Sequence, residues 1–219
     1  MRGAFVTGTG TEVGKTVVAA VIARELAAEG ARVGVFKPVV TGLAEGEEPD
    51  HALLRRAACS SQSDAEIAPY RYDPPVSPHL AAERQGERID PRLLLESARR
   101  AGAGADALVC EGVGGLLVPL TLGYLVRDLA RELDLPLVIA ASPGLGTINH
   151  TLLTLEAAAA VSLEVRAVVF TPWPDRADEV CGSNREAIER LGGVATAVLP
   201  HLDLSRPETW PRLGLVAVR

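Results

Sequence analysis

Short apolar runs and longer amphipathic segments alternate along most of the chain. Strands are predicted where consecutive residues are almost all apolar, over residues 4–7, 32–36, 105–110, 137–141, 165–170 and 194–199, with one more over 213–218. Helices are predicted over residues 14–29, 50–58, 91–101, 122–133, 147–161 and 183–191. Continuous apolar strands separated by helices are typical of a parallel sheet covered on both faces. We therefore predict an α/β fold, with a mostly parallel sheet and helices on both faces, in a single domain of residues 1–219.

Two stretches lack a regular pattern. Residues 42–50 are polar and rich in glycine and glutamate, which predicts a loop. Residues 59–89 are predicted to be irregular, because Pro74, Pro75 and Pro78 interrupt any helix or central strand. Asp90 then suits a helix N-cap, with Pro91 at the first helical position. In a parallel sheet, ligands bind beyond the carboxyl ends of the strands. We therefore expect the functional residues in the loops that begin at these strand ends.

Composition narrows the function classes. The chain has 219 residues, 47% hydrophobic and 23% charged, as in ordinary soluble proteins. Its net charge of -6 and the absence of any basic run argue against a nucleic-acid partner. The pattern predicts neither a transmembrane helix nor a signal peptide. Cys59, Cys110 and Cys181 match no zinc spacing, and we interpret them as free thiols of a cytoplasmic protein.

Residues 8–16, GTGTEVGKT, join the first predicted strand to the first helix. Gly8, Gly10 and Gly14 allow a tight turn whose amides face phosphate oxygens, and Lys15 would reach the terminal phosphates. The Thr16 hydroxyl would bind Mg²⁺. The loop has five residues between Gly8 and Gly14, one more than the common spacing of this motif. A plain glycine-rich turn is the alternative, but GKT at a helix start after a buried strand favours a P-loop NTPase-like fold.

A P-loop needs a carboxylate on the metal side, and Glu111 ends an apolar strand in the sequence EGVGG. Asp50 is a possible second ligand, although a helix N-cap would explain it equally well. Only Lys15 and Lys37 are lysines among the 22 basic residues. Lys37, in KPVVTG, is predicted to point into the same crevice as Lys15. A solvated surface lysine is the alternative for Lys37, and a simple turn residue is the alternative for Thr41.

A second glycine-rich turn, GLGTINH over residues 144–150, precedes another predicted helix. Its free amides could hold a carboxylate. A helix cap would account for Thr147 equally well, and we assign no catalytic role to His150.

These four motifs, in this order, resemble those of the dethiobiotin synthetase family, and they span residues 8–150. The resemblance implies that ATP, Mg²⁺ and CO₂ convert 7,8-diaminononanoate into dethiobiotin, ADP and phosphate. One substrate amine would take up CO₂ as a carbamate, and the carbamate oxygen would attack the γ-phosphate. The second amine would then close the cyclic urea and expel phosphate. The resemblance also implies a homodimer, while charge and hydropathy predict no nucleic-acid or membrane partner.

The resemblance implies roles for particular residues. The catalytic residues would be Lys37 and Lys15. Substrate would be bound by Thr41, Gly146, Thr147 and Asn149, with Thr11 and Glu12 at its border, and the metal by Thr16, Asp50 and Glu111. The ATP-binding set would be Thr11, Glu12, Val13, Gly14, Lys15, Thr16, Val17, Asp50, Glu111, Gly112, Val113, Gly114, Thr171, Pro172, Pro200, His201, Leu202 and Glu208.

The chain departs from the family at the nucleotide-base end. Thr171 stands where many members have an asparagine, and a hydroxyl cannot imitate the paired donor and acceptor of an amide. We therefore expect weaker purine discrimination. Three rival functions remain. One is a P-loop ATPase switch of the chromosome-partitioning type, which would carry an additional lysine where this chain has Gly10. The others are a cobyrinate-type amidating synthetase, for which this chain is too short, and a non-catalytic nucleotide-binding module.

Overall fold

The computed structural model describes residues 2–43 and 48–216. In chain order its elements are β1 (Gly3–Gly8), α1 (Lys15–Ala28), β2 (Val33–Phe36), β3 (Val39–Thr41), α2 (Asp50–Ala57), α3 (Asp64–Ile67), β4 (Tyr70–Tyr72), α4 (Pro78–Arg84), α5 (Pro91–Gly102), β5 (Ala107–Gly115), β6 (Pro119–Thr121), β7 (Tyr124–Leu125), α6 (Val126–Leu133), β8 (Leu137–Ala141), α7 (Thr147–Ala159), β9 (Val165–Trp173), α8 (Glu179–Gly192), β10 (Thr196–Pro200) and a 3₁₀ turn (Pro207–Thr209).

Six of these strands form the central sheet, in the order β10-β9-β8-β1-β5-β2, and every neighbouring pair is parallel. β1 and β8 lie in the middle and are buried along their whole length. Helix α1 packs on one face through Val18, Ile22 and Leu26. Helices α5 and α6 contribute to a second core on the other face. The predicted α/β architecture, with a parallel sheet and helices on both faces, is confirmed.

The segment of residues 59–89 contains regular structure, so that prediction is wrong. Its prolines border elements rather than interrupting them: Pro74 and Pro75 follow β4, and Pro78 occupies the start of α4. Residues Tyr70–Tyr72 pair in parallel with β3 as a separate two-stranded sheet. Such a short strand forms because its partner β3 lies beside it, and no local pattern predicts this.

The predicted helix over residues 122–133 begins later, at Val126. Residues 119–125 instead form the small antiparallel pair β6 and β7, which turns at Leu122 and Gly123. Leu122 is 89% exposed, so it does not belong to the buried stripe of α6. The Asp128 carboxylate accepts a hydrogen bond from the Leu125 N–H at the helix start. Because this carboxylate caps a start at Val126, the helix does not extend back to residue 122.

Other boundaries agree or differ by a few residues. The capping prediction at Asp90 is confirmed, since its side chain accepts from Arg92 N. Helix α8 begins at Glu179 rather than Ser183, because Asp178 caps it by accepting from Cys181 N. The strand predicted over residues 213–218 is absent from the described part, residues 213–216, and its end lies outside. Part of the predicted 42–50 loop, residues 44–47, also lies outside the described residues. No described helix is long and apolar enough to cross a bilayer.

Candidate functional site

The loop between β1 and α1 has the geometry of a phosphate site. Gly14 has φ of 80°, and a Cβ there would lie 2.5 Å from Cγ2 of Thr171. Only glycine fits such a position without strain. In the described part of the chain, the N–H groups of residues 10–17 donate no hydrogen bond to protein. These free donors at the start of a 14-residue helix form an anion site.

Lys15 curls back over this loop. Its Nζ donates to the carbonyl oxygen of Gly10 at 2.8 Å, and the residue is only 8% exposed. Burial lowers the pKa of Lys15, while the charge of Glu111 opposes that shift. The contact with Gly10 O holds the ammonium at the loop that carries the free amides.

Lys37 lies between two carboxylates. It follows the last residue of β2, and its Nζ is 2.6 Å from Oε1 of Glu111 and 2.6 Å from Oδ2 of Asp50. Lys37 is 4% exposed and Glu111 is fully buried. The alternative of a solvated surface lysine is therefore wrong for Lys37.

The charges of this cluster stabilise one another. Burial would by itself lower the pKa of Lys37, but Glu111 and Asp50 outweigh it and raise that pKa. Burial would likewise raise the pKa of Asp50, but the Lys37 ammonium outweighs it and lowers that pKa. For Glu111 burial prevails, so its pKa is raised although Lys37 opposes the shift. The arrangement places the Lys37 cation within hydrogen-bond distance of two acidic groups, of which Glu111 is buried while the Asp50 side chain is 43% exposed.

Thr16 completes the cluster. Its hydroxyl lies 3.0 Å from Oδ1 of Asp50 and 2.9 Å from Oε1 of Glu111, although one hydroxyl proton serves only one of them. Asp50 is the first residue of α2, and the N-cap is Pro49, which has no side-chain cap bond. The capping interpretation of Asp50 is therefore wrong, because its carboxylate turns toward Lys37 and Thr16 instead.

The cluster is also a candidate metal site. The buried Oε2 of Glu111 has no hydrogen-bond partner among the described residues. The described residues contain no group of three or more His, Cys, Asp or Glu side chains that could hold a metal. Mg²⁺ does not require such a cage, since one or two carboxylates complete its shell together with waters and phosphate oxygens. Two carboxylates and a hydroxyl beside a phosphate loop fit that donor set.

The glycines after Glu111 run close to the P-loop. A Cβ on Gly114, which has φ of 57°, would lie 2.7 Å from Val118 Cγ2 and 3.9 Å from Thr11 Oγ1. A Cβ on Gly112 would lie 3.0 Å from atoms of both Phe5 and Val126. Thr11 and Glu12 are exposed, Val13 and Val17 are half-buried, and Val113 is half-buried. The structure thus brings Gly114 of β5 to the P-loop at Thr11.

At the predicted base end, Thr171 is buried against Gly14, and Pro172 after it is exposed. Pro200 pairs in register with Trp173, so β9 and β10 end side by side. Exposed His201 and half-buried Leu202 follow. Glu208 lies in the 3₁₀ turn with its carboxylate 3.4 Å from Nε of Arg206. Described contacts thus join Thr171 to the P-loop, while Glu208 pairs with its own segment.

Thr41 lies near Asp50, one of the two acids of the candidate metal site. It ends β3, four residues after Lys37, and with Asp50 it lines a cavity of 160 Å³. A hydroxyl at the wall of a cavity that also reaches Asp50 can contact a ligand there. The turn-residue alternative for Thr41 does not describe this position, because Thr41 lies in a strand.

The second glycine-rich turn follows β8, the neighbour of β1. Gly146 is the N-cap of α7 with φ of 91°, and Thr147 is buried with its Oγ1 3.5 Å from Thr151 Oγ1. Thr147 therefore does not cap the helix. Gly146, Asn149 and His150 are exposed. Among the described residues, the N–H groups of 144, 145, 146, 148 and 149 donate no hydrogen bond to protein.

Two contacts, one at Lys37 and one at the second glycine-rich turn, were not predicted from the sequence. The Lys37 N–H donates to the carbonyl oxygen of Ile67 at 2.9 Å, which fixes the backbone at the lysine. The Asn184 side chain donates to the carbonyl oxygens of Pro143 and Gly144. The only available signal was the rarity of asparagine, since the chain has just two. Both contacts join segments that are distant in sequence, so no local pattern reveals them.

Comparisons with known proteins agree with this geometry. The family described as AAA domain matches residues 2–209. ATP-dependent dethiobiotin synthetase BioD from Bacillus subtilis (strain 168) is 38% identical over 195 residues, covering 89% of this chain and 84% of the relative. The protein of the same name from Bacillus cereus (strain B4264) is 40% identical, covering 89% and 81%. That from Bacillus licheniformis is 37% identical, covering 94% and 89%.

Two solved structures are similar in fold. Chloroplast FtsY from Physcomitrella patens has a TM-score of 0.51 at 15% identity, covering 93% of this chain and 60% of the FtsY chain. Apo McdA from Cyanthece has a TM-score of 0.52 at 11% identity, covering 95% of this chain and 88% of that one. At such identities the likeness shows the fold alone. The P-loop geometry and the close curated relatives together establish that the chain belongs to the family of ATP-dependent dethiobiotin synthetases.

Proposed function

We propose that this chain catalyses the ATP-dependent carboxylation and ring closure of 7,8-diaminononanoate with CO₂, yielding dethiobiotin, ADP and phosphate. The observation that carries the proposal is the position of Lys37, whose Nζ lies 2.6 Å from both Glu111 and Asp50 beside the P-loop. A buried cation at that place suits an acceptor that carries negative charge during phosphoryl transfer. The names of the relatives supply the reaction for which the site is suited.

The reaction proceeds in three steps. One amine of the substrate adds to CO₂ and loses a proton, which gives a carbamate. A carbamate oxygen attacks the γ-phosphorus and the bond to the β-phosphate oxygen breaks, so ADP leaves and a mixed anhydride forms. The second amine attacks the anhydride carbonyl, loses a proton and expels phosphate, which closes the cyclic urea. Negative charge is carried by the carbamate, the transferring phosphoryl group and the expelled phosphate, and the two amine protons leave to solvent.

The chain's cations and amides supply that charge stabilisation. Lys15 and the free N–H groups of residues 10–17 would hold the β- and γ-phosphates. Lys37 would exchange its carboxylate partners in part for the carbamate and the transferring phosphoryl group. Thr41, on the wall of the cavity shared with Asp50, would border the substrate. Positioning and preorganised charge then account for the catalysis.

Mg²⁺ would be held by Thr16, Asp50 and Glu111. The unpartnered buried Oε2 of Glu111 supports this, because such an oxygen is costly unless a ligand satisfies it. When bound, the ion supplies positive charge to the phosphate oxygens of ATP. The chain itself holds this donor set together. The Thr16 hydroxyl lies within 3.0 Å of both carboxylates, and the Asp50 carboxylate lies 2.6 Å from Lys37 Nζ.

A homodimer is part of the proposal. The tail carboxylate of the substrate would meet the free amides near Gly146–Asn149, and this turn would lie at a dimer interface, as the family resemblance implies. The exposed side chains support an interface here, since Leu145 is 98% exposed and Leu153 is 56% exposed. The proposal also includes a cytoplasmic location, which agrees with three cysteines that are all unpaired. Weaker purine discrimination at Thr171 is proposed as well.

Isotope incorporation tests the proposed reaction. The protein is incubated with Mg-ATP, diaminononanoate and ¹³C-bicarbonate, and the product is analysed by mass spectrometry. We expect dethiobiotin that carries the label in its ureido carbon, formed in step with ADP. ATP consumption without a labelled product would contradict the proposal and would favour an ATPase switch.

A further inference from the structure

A single side chain of α8 fixes the turn that precedes α7. Asn184 Nδ2 donates to the carbonyl oxygen of Pro143 at 3.0 Å and to that of Gly144 at 3.1 Å. An amide NH₂ group carries two hydrogens, so these two acceptors use its full donor capacity. Asn184 is only 8% exposed and lies on the buried stripe of α8, with Cys181 and Ile188. The contact is therefore shielded from competing water.

Holding these carbonyls also sets the direction of two N–H groups. Each peptide unit is planar and trans, so a carbonyl that points one way makes the next N–H point the opposite way. The carbonyls of Pro143 and Gly144 point to α8, and hence the N–H groups of Gly144 and Leu145 point away from it. Neither N–H donates to another described protein group. The Gly144 carbonyl also accepts from Thr147 N at 3.3 Å, which ties the turn to the start of α7.

We propose that Asn184 is a positioning residue that orients the N–H groups of Gly144 and Leu145, which adjoin the free amides near Gly146–Asn149, toward the substrate carboxylate. This inference rests on the proposed function, because it takes diaminononanoate as the ligand of the turn. Free amides bind a carboxylate well only when they already point at it, since a mobile turn must first lose conformational freedom. Asn184 removes that cost without touching the substrate itself.

The residue type matters for this role. An aspartate of the same size would present oxygens to two carbonyl oxygens, and it would add negative charge near the bound carboxylate. A serine keeps one donor on a side chain that is one atom shorter, and an alanine has none. The order Asn, Ser, Ala should therefore describe decreasing recognition of the carboxylate.

The test compares diaminononanoate with its methyl ester, which keeps both amines but lacks the charged tail. We measure kcat/KM for both substrates on wild type, Asn184→Ser and Asn184→Ala, with Ser183→Ala on the exposed neighbouring position as the control. For Asn184→Ala we expect the preference for the acid over the ester to fall about tenfold, mostly through KM, with Asn184→Ser in between. The KM for ATP and the ratio in Ser183→Ala should stay unchanged.

Other outcomes separate the inference from the function on which it rests. Equal losses for acid and ester in Asn184→Ala would mean a merely structural role and would overturn the inference. No preference for the acid in the wild type would overturn it too, while leaving the reaction itself intact. No turnover of diaminononanoate by the wild type would refute the proposed function and this inference with it.

Discussion

At the scale of single residues, Gly14 packs the P-loop against Thr171, near the end of β9. A Gly14→Ala substitution places a Cβ 2.5 Å from Thr171 Cγ2 at φ of 80°. We expect it to lower the free energy of unfolding by about 1–3 kcal/mol, because both the clash and the left-handed backbone are unfavourable. Urea unfolding measures this loss. Gly10→Ala is the matched control, since a Cβ there meets nothing within 4 Å.

A partial rescue distinguishes the two causes at Gly14. Thr171→Ser removes the methyl group that a new Cβ would strike, but it leaves the backbone strain. The double variant Gly14→Ala/Thr171→Ser should therefore recover part of the lost stability. Equal stability of Gly14→Ala and Gly10→Ala would contradict the predicted clash.

The buried ion pair predicts a particular pH dependence. Lys37 opposes the rise in the pKa of Glu111 that burial causes, so Lys37→Met should raise that pKa further. A carboxyl whose folded pKa is raised contributes stability that is present below its ordinary value of 4.5 and is lost as pH rises through the folded pKa. Relative to wild type, Lys37→Met should therefore lose stability as pH rises, by roughly 3–5 kcal/mol at neutral pH.

Urea unfolding at a series of pH values checks this prediction. Glu111→Gln removes one of the two acids that face Lys37, so the double variant Lys37→Met/Glu111→Gln should lose the part of the added pH dependence that Glu111 causes, while the part from Asp50 remains. Profiles of Lys37→Met and wild type that run parallel from about pH 5 to about pH 8 would show that Glu111 does not depend on Lys37 for its charge.

Most residues of the candidate phosphate and metal site could be predicted from the sequence, because short local patterns contain them. Gly14, Lys15 and Thr16 are consecutive, and Glu111 ends an apolar run. Lys37 was predictable because the end of a parallel strand fixes where its side chain lies. The Ile67 and Asn184 contacts were not, since each joins elements that only the folded chain brings together.

At the scale of elements, Glu25 of α1 holds the segment after β10. Its carboxylate accepts from Leu213 N at 2.8 Å and from Gly214 N at 3.1 Å, and its side chain is 8% exposed. Glu25→Ala should therefore loosen residues 203–216, which contain Glu208 and follow Leu202 of the predicted base-side residues. We expect faster proteolysis there and a KM for ATP about two- to fivefold higher.

Glu29→Ala is the matched control for Glu25→Ala. Glu29 pairs with Arg212 of the same segment, but both side chains are solvent-accessible, at 33% and 65%. Exposed ion pairs contribute little, so this variant should resemble wild type. Equal protease sensitivity of the two variants would show that the buried backbone contacts of Glu25 do not hold the segment.

Element prediction failed where a partner element decides the structure. Strand β4 exists because β3 is beside it, and the turn between β6 and β7 replaces the first turn of a predicted helix. Long apolar runs such as those of β1 and β8 were predictable, since burial on both faces requires them. The central strands can therefore be predicted from the sequence, while the small sheets cannot.

At the scale of the whole molecule, the proposed dimer would cover Leu145. Leu145→Asp should place a charge in that interface and yield monomers, as measured by size exclusion with light scattering. The KM for diaminononanoate should rise with it. Leu191→Asp is the control, because Leu191 is 68% exposed but lies at the far end of α8. A wild-type monomer, or a dimer that survives Leu145→Asp, would contradict the proposed interface.

Lys37 is proposed to act on an acceptor that only the two co-substrates can form. The most direct measurement is phosphate release from Mg-ATP with and without diaminononanoate and bicarbonate, on wild type and Lys37→Ala. We expect release that requires both co-substrates and falls by about 10²-fold or more in the variant. Equal release without diaminononanoate, or full activity in Lys37→Ala, would contradict it.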